Sequence, residues 1–175
     1  MAMVGIFFGS DTGNTEAVAK MIQKQLGKKL VYVQDIAKSA KEDVNNFDYL
    51  LFGIPTWYYG EAQCDWDDFF PELSNIDFST KIVAIWGCGD QEDYAEYFCD
   101  AMGTMHDIIE RKGATILGYT STEGYNFEAS KALVNEDRKK FVGLCIDEDR
   151  QPELTKKRVK DWVSQIYTEM NLDAL

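Results

Sequence analysis

The chain has 175 residues, 45% hydrophobic and 13% aromatic, which is enough apolar material for a single domain over 1–175. Thirty acidic and 18 basic side chains leave a net charge of −12, which argues against nucleic acid and anionic membranes as partners. The aromatic content and the apolar runs also argue against disorder. No apolar stretch approaches the ~18 residues of a membrane span. Met1–Gly5 has no basic region or cleavage motif, so a cytoplasmic location is expected. Cys64, Cys88, Cys99 and Cys145 lack C-x-x-C spacing, so free thiols are expected and no metal.

Short apolar runs alternate with longer amphipathic ones. Met3–Phe8 reads as a buried strand followed by the small residues of Gly9–Gly13. Val18, Met21, Ile22 and Leu26 mark one helix face, with Gly27 as its stop. Leu30–Val33 is a weaker second strand. Tyr49–Ile54 is a third, ended by Pro55. Asp65–Leu73 reads as a short helix, although Pro71 warns against extending it. Lys81–Gly87 is a fourth strand. Phe98, Ala101, Met102, Met105 and Ile109 mark a helix face followed by Gly113. Thr115–Tyr119 starts a fifth strand, and Phe141–Ile146 is strand-like again after a polar stretch. Either one strand is interrupted by about 20 residues or a sixth strand is present. Val159, Trp162, Val163, Ile166 and Met170 mark the last helix. This alternation predicts an α/β fold, a parallel five-stranded sheet with helices on both faces.

In such folds ligands sit beyond the carboxyl ends of the strands, so the residues that follow each strand carry the chemistry. After the first strand, Ser10-Asp11-Thr12-Gly13-Asn14-Thr15 leads straight into a helix. Its N–H groups and hydroxyls can hold a phosphate. It is neither G-x-G-x-x-G nor a nucleoside-triphosphate loop, and it has no Lys or Arg. That suits a phosphate held permanently as a handle better than one that is transferred. The plainer reading is an ordinary capped turn. After the third strand comes Pro55-Thr56-Trp57-Tyr58-Tyr59-Gly60, whose aromatic faces can stack on a planar ligand. They could also form a partner-binding patch or fold onto the core. After the fourth comes Gly87-Cys88-Gly89-Asp90-Gln91-Glu92-Asp93-Tyr94. Its glycines allow close backbone approach and Tyr94 offers a second ring. Alone, it would pass for a turn before an acidic helix start. Together the loops place a phosphate cradle and two aromatic walls on one sheet edge. A phosphate joined to a large flat ring is a flavin mononucleotide.

These three loops, with Gly124-Tyr125, Phe141-Val142-Gly143-Leu144 and Asp147-Glu148-Asp149, resemble those of the bacterial long-chain flavodoxins along essentially the whole chain. The resemblance implies the flavodoxin-like three-layer sandwich, with strand order 2-1-3-4-5 and an interrupted fifth strand. It implies non-covalent FMN with its phosphate on Ser10 through Thr15 and its ring between Trp57 and Tyr94. Backbone around Tyr58, Tyr59, Gly60, Gly89 and Asp90 would meet the ring edge. Pro55, Thr56, Cys88, Tyr97, Cys99 and Asp149 would lie near the cofactor. No metal and no catalytic residue are implied. The implied role is a low-potential one-electron carrier shuttling between semiquinone and hydroquinone. A flavodoxin/ferredoxin–NADP reductase would be the donor and reductively activated metabolic enzymes the acceptors. A monomer is expected.

Residues 61–100 hold eleven acids against one base, Lys81. A run of charge is usually a solvated face, but this one flanks both aromatic loops. It would disfavour an anionic reduced flavin, and about 3 kcal/mol would lower a one-electron potential by roughly 130 mV. It would also steer basic partners to the flavin edge. His106, the sole histidine, reads as structural or solvated, with no Ser/His/Asp or Cys/His set around it. A response-regulator receiver is excluded by Ile54-Pro55, where it needs a phosphorylatable Asp. The remaining rival is an FMN-dependent NAD(P)H:quinone oxidoreductase, which needs a second substrate site that no spare segment supplies.

Overall fold

The apolar runs of the sequence pair edge to edge in the computed structural model, which describes residues 3–174. In chain order the elements are β1 (Val4–Phe8), α1 (Asn14–Leu26), β2 (Val31–Asp35), α2 (Lys41–Asn45), β3 (Tyr49–Trp57), β4 (Glu61–Ala62), α3 (Cys64–Leu73), β5 (Ile82–Cys88), α4 (Asp100–Arg111), β6 (Thr115–Leu117), β7 (Thr120–Ser121), β8 (Lys140–Phe141), β9 (Leu144–Ile146) and α5 (Pro152–Glu169). The sheet runs β2-β1-β3-β5-β6 in parallel, and β9 also pairs with β5. Alternate residues of each strand face opposite layers. Ile6 packs with Val18, Ile22 and Trp162 of α1 and α5, whereas Phe7 joins the cluster of Trp66, Phe78 and Met102 on the other side. Burial on both faces is why the strands read as continuous apolar runs.

The fifth strand is interrupted, as expected. Ile82–Ala84 of β5 pair with β6, and Trp86–Cys88 pair with β9. The intervening insertion closes on itself where Thr120 and Ser121 of β7 face Phe141 and Lys140 of β8. It is part of the core. Phe127 stacks on Phe98 at 5.5 Å, and Tyr125 meets Phe141 edge-on at 5.2 Å. Gly103 of α4 allows this docking, because a Cβ there would stand 2.1 Å from the Lys131 carbonyl oxygen.

Two boundaries differ from expectation. Pro55 does not end β3, which continues to Trp57, with Pro55 opposite Cys88. A proline needs no donor partner, and the Pro55 carbonyl accepts the Gln63 N–H at 3.3 Å. Phe98 precedes α4 and belongs to the aromatic cluster under the insertion. His106 is structural, buried with its Nε2 2.6 Å from the Tyr119 hydroxyl. All four cysteines are free, and only Cys64 is exposed.

Candidate functional site

The carboxyl ends of β1, β3 and β5 open into one cleft of about 810 Å³ of empty space, counting its mouth. Ser10, Asp11, Thr12, Asn14 and Thr15 line it from the first loop, and Pro55, Thr56 and Trp57 from the second. Cys88, Gly89, Asp90 and Tyr94 line it from the third, and Glu148 and Asp149 follow β9. The position is that of a small-molecule site at the edge of an α/β sheet.

The first wall is the amino end of α1. Gly13 precedes the helix at φ 92°, and no side chain caps it. The Ser10 hydroxyl instead accepts the Gly13 N–H at 3.0 Å, bending the loop around the helix end. The N–H groups of Asn14, Thr15 and Glu16 have no intrahelical acceptor. Three such donors and the positive end of the helix dipole form an anion cradle. An ordinary capped turn would occupy these donors with its own side chain, and this one does not. Among the described residues no Lys or Arg lines the cleft, so a phosphate placed here would meet only N–H and O–H dipoles.

The second wall is a hairpin. Trp57 is the last residue of β3, opposite Glu61 of β4, and the chain reverses through Tyr58, Tyr59 and Gly60. The three aromatics are therefore not one loop. Trp57 is half-buried and faces the cleft, while Tyr58 and Tyr59 are 58% and 75% exposed. Gly60 turns at φ 88°, where a Cβ would come 2.7 Å from an Asp100 carboxylate oxygen. The Thr56 hydroxyl accepts the Ala101 N–H at 3.0 Å, anchoring the hairpin to α4.

The third wall, Gly89–Tyr94, is fastened from behind. Gly89 donates to the Ile146 carbonyl at 3.0 Å. One Asp147 carboxylate oxygen accepts both the Gln91 N–H at 3.0 Å and its side-chain amide at 2.8 Å. The Gln91 side-chain oxygen accepts the Asn126 N–H of the insertion at 2.6 Å. Tyr94 stays 37% exposed at the cleft mouth. Burial pushes the Cys88 thiol up to about 12 and also raises Cys99, so both stay protonated. Gly13, Tyr58, Tyr59, Gly60, Tyr97 and Cys99 do not line the cleft. Tyr97 meets Tyr59 edge-on at 5.7 Å, and Cys99 is fully buried. Glu148, which does line it, was not anticipated.

The flavodoxin family model matches residues 6–162. The chain belongs to the flavodoxin family. It is 69% identical to Flavodoxin 1 of Salmonella typhimurium, over 99% of this chain and 97% of that one. It is equally close to Flavodoxin 1 of Escherichia coli K12, at 69% over 100% and 98%. Among solved structures it is similar to a Fusobacterium nucleatum flavodoxin bound to flavin mononucleotide. That match has a TM-score of 0.90 and 36% identity, and covers 97% of this chain and 99% of that one. A long-chain flavodoxin is an electron-transfer protein, not an enzyme, and the interrupted fifth strand places this chain in that subgroup.

The acids of this flavodoxin are not all on the rim. Asp100 is 2% exposed, accepts the Lys131 N–H at 2.7 Å, and has its pKa raised by burial. Lys81 lies at the opposite end of β5 from the cleft, donating to the Asn45 and Phe47 carbonyls at 3.0 and 2.9 Å. Counting charge along the chain cannot separate such buried groups from solvated ones. Two acids of the cleft titrate in opposite directions. Burial alone would raise the Asp90 carboxyl, but hydrogen bonds from Arg150 and from the Asp93 and Glu92 N–H groups outweigh it and hold it low. Burial, then neighbouring Asp90 and Asp147, raise Asp149. The depressed Asp90 contributes stability above its unfolded pKa, and this is lost as pH falls through its folded pKa. Asp149 acts oppositely, and stability falls as pH rises from its unfolded pKa through its raised one. In an acid titration followed by NMR, the Glu92 and Asp93 amides should report a midpoint below the ~3.9 of an ordinary Asp. The Asp149 carboxyl should report one above it. A common midpoint for the two would contradict the assignment.

Proposed function

We propose that this flavodoxin holds FMN non-covalently in the cleft and carries electrons one at a time. The observation that carries the reading is the uncapped, cation-free amino end of α1 facing Trp57 and Tyr94 across one cleft. Bound FMN supplies the redox chemistry. The Ser10–Thr15 loop binds its phosphate, and Trp57 and Tyr94 enclose its ring and exclude water from both faces. Thr56, Cys88, Gly89, Asp90 and Asp149 shape the space between. Tyr58, Tyr59, Gly60, Tyr97 and Cys99 support the hairpin and the α4 end from outside the cleft. Stepwise reduction of the purified protein, followed by its visible spectrum, should give two separate one-electron waves. Two electrons entering together, or NADPH consumed by the protein alone, would favour the quinone oxidoreductase.

As an electron carrier the protein needs a donor and acceptors. The donor we infer is a flavodoxin/ferredoxin–NADP reductase, and the acceptors are reductively activated enzymes of the cytoplasm. The acidity of the cleft mouth supports this. Glu92 and Asp93 are exposed there beside Tyr94, and Glu61 beside Trp57. Such a rim draws basic partners to the exposed ring edge over about a Debye length, ~10 Å at 0.1 M salt. The second-order rate of reduction by a basic reductase should therefore fall about tenfold between low salt and 0.5 M. A rate unaffected by salt would remove the steering role. No helix among the described residues is long and apolar enough to cross a membrane.

A further inference from the structure

We propose that Arg150 is a positioning residue of the flavin site, whose planar guanidinium fixes Asp90 and, through it, the Gly89–Tyr94 wall of the cleft. The inference rests on the FMN reading above, and its test separates the two. Arg150 does not line the cleft, whereas Asp90 does. The two side chains meet as a fork, with Arg150 Nε 3.0 Å from Asp90 Oδ1 and Nη2 3.1 Å from Oδ2. The same guanidinium reaches Glu92 at 3.0 Å and Asp93 at 2.9 Å, so one cation gathers three acids of the wall.

Only one of these pairs is sheltered. The Asp90 side chain is 12% exposed, against 64% and 70% for Glu92 and Asp93. Exposed pairs contribute little, and the sheltered two-point pair dominates. Asp90 passes its orientation on. Its Oδ1 accepts the Glu92 and Asp93 N–H groups at 2.9 and 3.0 Å, and its carbonyl accepts the Tyr94 N–H at 3.3 Å. Arg150 is itself pinned, because its N–H donates to Asp147 Oδ1 at 3.0 Å while Asp147 Oδ2 holds Gln91. Asp147 and Arg150 thus form a two-point clasp, one on Gln91 and one on Asp90. The clasp comes from the segment after β9, and neither side chain enters the cleft.

A lysine preserves the charge but cannot form the fork. Geometry and charge are therefore separable in R150K and R150Q. Both variants should bind FMN about tenfold more weakly in titrations of the apoprotein. Both should show faster amide hydrogen exchange at Glu92, Asp93 and Tyr94, with the core amides of β5 unchanged. The second one-electron potential should move in R150Q alone. There the lost cation costs the reduced cofactor a further tenfold in affinity, which is about 59 mV downward. Unchanged affinity and exchange in R150K would overturn the positioning role. Equal potential shifts in R150K and R150Q would overturn the separation of fork from charge. If the unsubstituted protein fails to bind FMN, the flavin reading falls. The exchange rates of the apoprotein still decide whether Arg150 holds the wall.

Discussion

Trp57→Ala is expected to weaken FMN binding by roughly a few hundredfold. The indole is the largest side chain lining the cleft. Covering roughly 100 Å² of ring with a stacked partner contributes ~2.5 kcal/mol. The geometry-dependent part of aromatic stacking adds about 0.5–1.5 kcal/mol. Together they come to ~3–4 kcal/mol, which is a few hundredfold in Kd. The fold should survive, because Trp57 is the half-buried last residue of β3 and pairs only with the two-residue β4. Tyr58→Ala is the control. That ring is 58% exposed and outside the cleft, so its loss should change affinity by less than about threefold. Titrating each apoprotein with FMN by fluorescence compares them. A Trp57→Ala protein that binds as tightly as the Tyr58→Ala protein would remove Trp57 from the site.

Trp66→Ala should have the largest effect on stability, about 3–5 kcal/mol of the ~5–15 that a domain possesses. Trp66 is fully buried, edge-on to Phe52 at 5.4 Å and to Phe69 at 6.0 Å. Its indole N–H donates to the Gly53 carbonyl at 2.7 Å. That carbonyl also accepts the Gly9 N–H at 3.1 Å, so it is not orphaned when the indole is lost. The cost is therefore mainly a cavity. Trp66→Phe should cost much less, about 1–2 kcal/mol, since most of the volume stays. Trp66 also packs on Gly9, where a Cβ would stand 2.7 Å from the ring. The alanine variant should therefore weaken FMN binding as well, by loosening the start of the phosphate loop. Urea denaturation gives the first effect and FMN titration the second. Equal midpoints for the alanine and phenylalanine variants would show that the cavity closes.

Local chemistry was legible in the sequence, and contacts between distant segments were not. β1, β3 and β5 announce themselves because both faces are covered, and α1, α4 and α5 because one face is. α2 has five residues and β4 two, too few for any period to show. The three loops were legible because each carries its chemistry within a few consecutive residues. What fastens them was not. Asp147 meets Gln91 across 56 positions, and Arg150 meets Asp90 across 60. In the sequence these are two more charges in an acidic tract. Asp100 misled for the same reason, because only the packed insertion reveals that its carboxylate is buried. Pro55 misled because a rule about missing donors gives no weight to an available carbonyl.

The split fifth strand orders events in time. A chain emerging amino end first has made the phosphate loop, Trp57 and Tyr94 before it reaches β6. It then passes through the whole insertion before β9 can seat beside Trp86–Cys88. Asp147 and Arg150 follow β9, so Gln91 and Asp90 lack the two-point clasp until that moment. A nascent chain that ends at Leu117 carries the loops after β1, β3 and β5 but lacks Glu148, Asp149 and the clasp. Fastening of the Gly89–Tyr94 wall therefore belongs to the nearly finished molecule.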